Sequence, residues 1–265
     1  MILMSSHSGI VALGQTPMPE INSWIDQLSS KQVRTRQRAA SELRKAAAKM
    51  PTIAAAAIPT LWAALLDEDP WVTIMAADAL AVIGEPARSA IPTMVKLLAS
   101  PNADIRGYIA LALARLKPVS DEILTALLRL LEDPGKCRFQ QKKNCYPIRY
   151  RVAFAIAQIA PTRPEILPVI RDALLNTNLW YVFSEAITCV RDLGVNGVSL
   201  IPDIRGLLVH HHEWRRFRAN LFLLGVDPQF VPTLEYMDKP KDLRDTCERA
   251  FGVEHSSESR KNSRQ

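Results

Sequence analysis

The chain has 265 residues, 48% of them apolar and 6% aromatic, with 10 Gly and 18 Pro. That composition excludes wholesale disorder, and a Gly content below the usual ~7% beside abundant Ala and Leu favours helix over strand. Lys and Arg exceed Asp and Glu by six, and the pI of about 9.2 suits an acidic partner without naming one.

From the N-terminus, Met1-Ile2-Leu3-Met4-Ser5-Ser6 lacks the basic n-region and unbroken apolar core of a signal peptide. Residues 1–19 carry no helical or strand pattern and are expected to be flexible. The most apolar stretch, Ile53 to Leu66, is interrupted by Pro59 and is shorter than the ~20 residues that cross a bilayer, so no membrane insertion is expected. Four cysteines (Cys137, Cys145, Cys189, Cys247) do not make a disulfide framework in a chain of this length. A reducing, cytoplasmic setting follows as the expectation.

One tetrapeptide then recurs down the chain. Ile58-Pro59-Thr60-Leu61 returns as Ile91-Pro92-Thr93-Met94, Ile123-Leu124-Thr125-Ala126, Leu167-Pro168-Val169-Ile170, Ile201-Pro202-Asp203-Ile204 and Val231-Pro232-Thr233-Leu234, with a weaker copy at Ile21. The spacings are 37, 33, 32, 44, 34 and 30 residues. A period near 33 marks a repeat architecture. Within a unit, Ile58, Leu61, Leu65 and Leu66 form one helical stripe, and Val72, Met75, Ala76, Ala79, Leu80 and Ile83 form another. Between them Asp69 is placed to cap and Pro70 to open the second helix, which Gly84 ends. Alanines at inward positions (Ala76, Ala110, Ala153, Ala219) predict close helix packing. One such pair cannot bury its own stripes, so units must stack.

Ile58 to Gly84, Ile91 to Leu116, Ile148 to Ile159, Asp242-Leu243-Arg244 and Ala250-Phe251-Gly252 together resemble the HEAT-repeat family, in its bacterial, lyase-type HEAT-like variant. The resemblance covers residues 20–252 and implies an all-α, right-handed α-solenoid of about seven two-helix repeats. A flexible polar tail, 253–265, follows. The resemblance defines a packing rule, not a site.

The spacing of 44 is explained by an insert, residues 135–146, between Asp133-Pro134 and Pro147-Ile148; without its twelve residues the spacing is 32. The insert lies at the inter-helix turn of the fourth repeat, an edge on which repeat proteins often bind. From Lys136 to Arg151 there are six basic residues and no acid. Lys136, Arg138, Phe139, Lys142, Lys143, Tyr146, Arg149 and Arg151 are the candidate partner-binding residues, offering charge and ring faces together. The same composition also describes a solvated loop with no partner. Cys137 and Cys145, seven residues apart, do not match zinc-ligand spacing and read as free thiols, with a loop-closing disulfide as the alternative.

Aligning the second helices puts Arg36, Arg106, Arg149, Arg215 and Arg244 in one column, beside Thr73 in the second unit. HEAT-like repeats pair this Arg with an Asp near the turn, which implies a structural ladder; a basic stripe reading phosphates is the alternative. Lys31 to Arg38 reads as the solvated face of a terminal, capping repeat. His210-His211-His212 reads as a helix-end surface, since consecutive histidines do not share a helix face. Trp71, Trp180 and Trp214 open second helices and read as packing residues.

No nucleotide-binding, nucleophile-elbow or zinc-protease motif occurs, so neither catalysis, metal nor cofactor is expected. The function expected is a scaffold binding another macromolecule, most simply a protein. Nucleic-acid binding through the basic insert is the alternative; Trp180 with Glu185 loosely resembles HEAT-like alkylpurine glycosylases. HEAT-like lyase or cofactor-handling chemistry is the third reading.

Overall fold

The computed structural model describes residues 19–117, 120–138, 145–227 and 229–233. The flexible segment expected at 1–19, up to residue 18, that expected at 253–265, and the seventh repeat with Arg244 beyond residue 233 lie outside the described residues. The chain divides into two compact units, 1–94 and 95–265.

In the first unit, α1 (Pro19–Gln27) pairs with α2 (Val33–Lys49). The short α3 (Pro51–Ala54), a 3-10 turn and α4 (Ile58–Ala64) lead into α5 (Pro70–Ile83), which packs on α2 and α4. Asp69 caps α5 by accepting from the backbone N–H of Trp71 and Val72, and Pro70 fills the first turn. Gly84 ends the helix at φ +82°, which a side chain resists. A 3-10 turn (Glu85–Ala90) then starts α6 (Ile91–Leu97), inside which the unit boundary falls.

The second unit continues with α7 (Ala103–Leu116), α8 (Asp121–Arg129), the strands β1 (Lys136–Arg138) and β2 (Cys145–Pro147), and α9 (Ile148–Ile159). Then come α10 (Leu167–Asn176), α11 (Trp180–Leu193), α12 (Ile201–Gly206) and α13 (Glu213–Val226). The long second helices stack in order, α7 on α9, α9 on α11 and α11 on α13. Ala110, Ala153 and Ala219 are fully buried where these helices meet, so the absence of larger side chains sets the close approach. Six helix pairs are therefore described, all α apart from one hairpin.

The helix caps fix a common register. Counting from each N-cap (Gln32, Asp69, Asn102, Pro147, Leu179, His212), the fourth residue is Arg36, Thr73, Arg106, Arg151, Phe183 and Arg216. Arg36 Nη1 donates to the Ser30 carbonyl, six residues back, while its Nε and Nη2 grip Asp67 of the following repeat at 2.7 and 3.1 Å. Arg106 does the same with Ser100 and Asp133, at 2.7 and 2.8 Å. Arg216 donates back to His210 and His211, and Thr73 Oγ1 back to Asp67. Arg36, Arg106 and Arg216 thus satisfy carbonyls left unpaired where the first helix ends, while Arg151 lies over the Tyr108 ring instead.

This register corrects the column at two places. Arg149 is the second residue after its cap and Arg215 the third; the equivalent residues are Arg151 and Arg216. In the other repeats the third position is Thr35, Val72, Ile105, Tyr150 and Val182, of which all but Thr35 are buried, and Arg215 in that inward place is only 1% exposed. Its guanidinium donates to the Leu174 and Leu175 carbonyls at the C-terminal end of α10 and lies 5.1 and 5.2 Å from the Phe183 and Trp214 rings. No carboxylate among the described residues meets it, and burial lowers its pKa. Arg215→Met, which puts an apolar side chain in that place, should change stability by no more than about 1 kcal/mol, whereas Arg215→Glu should cost about 3 kcal/mol or more. Urea denaturation of both variants checks the contrast.

The histidines sit at the end of the sixth repeat's first helix, as expected: His210 caps the 3-10 turn Leu207–Val209 that extends α12. His212 is the N-cap of α13, so the triplet precedes a helix start, where positive charge is disfavoured. The His210 and His211 rings stack at 4.2 Å, and the His212 ring lies 4.0 Å from that of His211, tilted by 46°. Burial, then the charges of Arg215 and the neighbouring histidines, push His210 below its ordinary range.

Candidate binding surface at the fourth-repeat hairpin

The insert is an antiparallel hairpin, not an open loop. Asp133 Oδ1 accepts from the Gly135 N–H at 2.7 Å and turns the chain outward. The Ile148 N–H donates to the Gly135 carbonyl at 3.0 Å and closes the base. Lys136 then pairs with Pro147, Cys137 with Tyr146 and Arg138 with Cys145. Alternation along a strand sends Cys137 and Tyr146 to one face. That face is inward.

Cys137 is fully buried, its Sγ 3.7 Å from the Ala103 carbonyl. It fits because α7 carries Gly107 opposite: a Cβ there would lie 2.8 Å from the sulfur. Burial pushes the Cys137 thiol up to about 12, with Asp104 adding to the shift and Arg151 and Arg106 opposing it. Cys137 and Cys189 are both free, buried thiols. At pH 8 the Cys137 thiolate should be on the order of a thousandfold scarcer than in the unfolded chain. Iodoacetamide labelling followed by peptide mapping should find Cys137 unmodified in the native protein and modified in denaturant.

Tyr146 begins a chain of ring contacts. The Arg151 guanidinium lies 3.9 Å from the Tyr108 ring and 5.3 Å from that of Tyr146. Tyr146 meets Tyr181 edge-on at 5.7 Å, and Tyr181 meets Trp180 at 6.1 Å and 90°. One file of side chains thus joins α7, α9, the hairpin and α11. Arg151 and Tyr146 are buried within it, while Trp180 at the outer end is 67% exposed.

The exposure of Trp180 has a simple cause. Trp71, Tyr181 and Trp214 are each the second residue after the N-cap, where a ring lies against its neighbours; Trp180 is the first, one position out of line. Sequence reasoning put Trp180 among the packing tryptophans because Leu179 is not a recognisable capping type. Trp180 and Glu185, five residues apart, point roughly 140° apart around α11 and do not converge. Partial desolvation raises the carboxyl pKa of Glu185, which is nonetheless exposed, against the charges of Arg151 and Arg115.

The remaining candidates divide. Lys136 is exposed. Arg149 is half-exposed and held by Asp172 at 2.6 Å, on a carboxylate that also accepts from Tyr150 and Asn176. Burial raises the Asp172 pKa, but these three donors outweigh it and hold the group below its ordinary value. The backbones of Arg138 and Cys145 lie in the strands; their side chains, and all of Phe139, Lys142 and Lys143, lie outside the described residues.

Among the described residues no group of three His, Cys, Asp or Glu is placed to hold a metal, and no helix is long and apolar enough to cross a membrane. What the surface offers is an anchored aromatic ring beside a basic hairpin.

No protein-family model matches the chain, and no curated protein matches it. Solved structures do. The complex of CpcE and CpcF of phycocyanin lyase from Nostoc sp. PCC7120 is 19% identical, aligns over 93% of this chain and 100% of that one, and has a TM-score of 0.55. An engineered protein is 20% identical over 80% of this chain and 100% of that one, with a TM-score of 0.53. A HEAT-like repeats protein from Thermococcus onnurineus NA1 is 17% identical over 86% of this chain and 88% of that one, at 0.47. The first two likenesses, with the helix pairs recurring near every 33 residues, give the fold: a HEAT-like helical repeat of the α-solenoid class.

Proposed function

We propose that the protein is a non-catalytic HEAT-like scaffold that binds a protein partner on the hairpin edge of its fourth and fifth repeats. The observation that carries this reading is Trp180, exposed yet braced from behind by Tyr181, Tyr146 and Arg151. A large ring held in one orientation loses little entropy on binding, and such residues dominate interface energetics. In this reading Lys136, with Arg138, Phe139, Lys142 and Lys143 of the insert, contacts the partner. Tyr146, Arg149 and Arg151 hold the platform in place.

Affinity purification from the native cells, comparing the wild-type protein with Trp180→Ala, tests it. A stable partner should co-purify with the wild type. Its affinity should fall by about 2 kcal/mol in the variant, roughly thirtyfold. Recovery of equal partner on both would sink the reading.

A further inference from the structure

We propose that the turn joining α12 to α13 is an acid-sensitive latch, closed by the neutral His210 ring and released when that ring takes up a proton. The latch belongs to the sixth repeat and stands apart from whatever the hairpin edge binds.

One hydrogen bond recurs at the turn between the two helices of a repeat. The side chain two residues before the N-cap of the second helix accepts from the N-cap N–H. Ser30 accepts from Gln32 at 3.2 Å, Asp67 from Asp69 at 2.9 Å, Ser100 from Asn102 at 3.2 Å and Thr177 from Leu179 at 3.1 Å. In the fourth repeat, where the insert follows, Asp133 accepts from Gly135 at 2.7 Å. The sixth repeat puts His210 in this place, and its Nδ1 accepts from the His212 N–H at 3.0 Å. A hydroxyl or an ionised carboxylate accepts throughout the neutral range. An imidazole accepts only while neutral, because both ring nitrogens are donors in the cation. Among the described turns this one alone is closed by a side-chain type that changes state between about pH 5 and 8.

The surroundings oppose the cation. The half-buried His210 ring stacks on that of His211 and lies 5.4 Å from that of His212. The turn precedes the start of α13, the positive end of the helix dipole. The charged residues of α13 near it are Glu213, Arg215, Arg216 and Arg218, and the His210 and His211 carbonyls hold the Arg216 guanidinium. On α12, Asp203 and Arg205 pair with Arg171 and Asp227, and on α10 Asp172 holds Arg149. Burial first, then the charges of Arg215, His211, His212 and Arg216, keep His210 below its ordinary 6.5. A histidine lowered in the folded state contributes stability that is full above its unfolded value and lost as pH falls through the folded one. The release is local. Trp214 meets Phe183 edge-on at 5.0 Å and Arg215 holds the Leu174 and Leu175 carbonyls, so α13 keeps its seat on the fifth repeat.

Hydrogen–deuterium exchange of the full-length protein, corrected for the intrinsic rate at each pH, tests the latch on peptides spanning residues 207–216. Between about pH 7.5 and about pH 5, protection there should fall roughly fivefold or more. The Ser100–Asn102 turn, closed by a hydroxyl, should change by less than about twofold over the same range. His210→Ser, which supplies the acceptor used at Ser30 and Ser100, should keep the turn protected and abolish the pH dependence. His210→Ala should leave it unprotected already at neutral pH. Nitrogen-15 NMR of the wild-type imidazoles should find His210 Nδ1 without a proton at neutral pH and a titration midpoint below 6.5. An undiminished pH dependence in His210→Ser, full protection in His210→Ala, an equal loss at the Ser100 turn, or a proton on His210 Nδ1 at neutral pH would overturn the proposal.

Discussion

Asp133→Ala should destabilise the 95–265 unit by about 2–4 kcal/mol, far more than an ordinary surface ion pair is worth. Asp133 and Arg106 are only 12% and 14% exposed, and two parallel hydrogen bonds of 2.8 Å join them. Removing the carboxylate strands a mostly buried guanidinium and takes the acceptor from the Gly135 N–H, at the point where the hairpin begins. Partial exposure keeps the loss below that of a fully buried pair. Asp133→Asn retains the turn acceptor and should cost about half as much. A joint Arg106→Met and Asp133→Leu replacement should recover most of the stability, because the unpaired charge is gone. A loss below about 0.5 kcal/mol in chemical denaturation would show the pair to be a surface contact after all.

The pH dependence follows with a definite sign. Burial raises the Asp133 pKa, but the Arg106 hydrogen bond, the Gly135 N–H and the Arg106 charge outweigh it, so the group lies below 3.8. A carboxyl depressed in the folded state contributes stability that is full above its unfolded value. That contribution is lost as pH falls through the folded one. The wild type should therefore lose stability more steeply than Asp133→Ala on acidification below about pH 4.

Gly107→Val should cost about 3 kcal/mol or more and dislodge the hairpin. On helix propensity alone, replacing Gly in the middle of α7 should help; Gly107→Ala would gain about 1 kcal/mol. Packing decides otherwise. The new Cβ would sit 2.8 Å from Cys137 Sγ and 3.3 Å from Arg151 Cδ, and the sulfur belongs to a short side chain fixed in β1. Gly107→Ala should thus lose about 1–2 kcal/mol net, and adding Cys137→Ala should return it to within about 1 kcal/mol of the wild type. Thermal unfolding of the four proteins in the cycle measures the coupling. Partner binding should weaken in parallel, because a displaced β2 carries Tyr146 away from Tyr181.

The repeat was legible in the sequence because its signal is redundant: the tetrapeptide, the caps and the period all agree. The presence of an insert could be read for the same reason, as a departure from a known period. The Arg36 and Arg106 positions were likewise visible, each a fixed distance past the tetrapeptide. Register failed at Arg149 and Arg215 because Pro147 and His212 do not announce a cap as Asp69 and Asn102 do, and neighbouring arginines offered a false alignment. The hairpin was hidden for another reason. Three residues per strand carry little pattern, and what stabilises them, Gly107 and Tyr108, lies some thirty positions earlier in the chain. Trp180 needed the same knowledge of the caps, since one position separates a packed ring from an exposed one.

The closed base of the hairpin makes it a natural port for grafted sequence. The Gly135–Ile148 hydrogen bond and the buried Cys137–Tyr146 pair hold the two strands together independently of what joins Arg138 to Cys145. Lengthening that connection then alters only loop-closure entropy, about 0.6 kcal/mol for each doubling. A foreign epitope or a second recognition loop inserted there should be displayed from a fixed point while the repeats beneath it keep their packing.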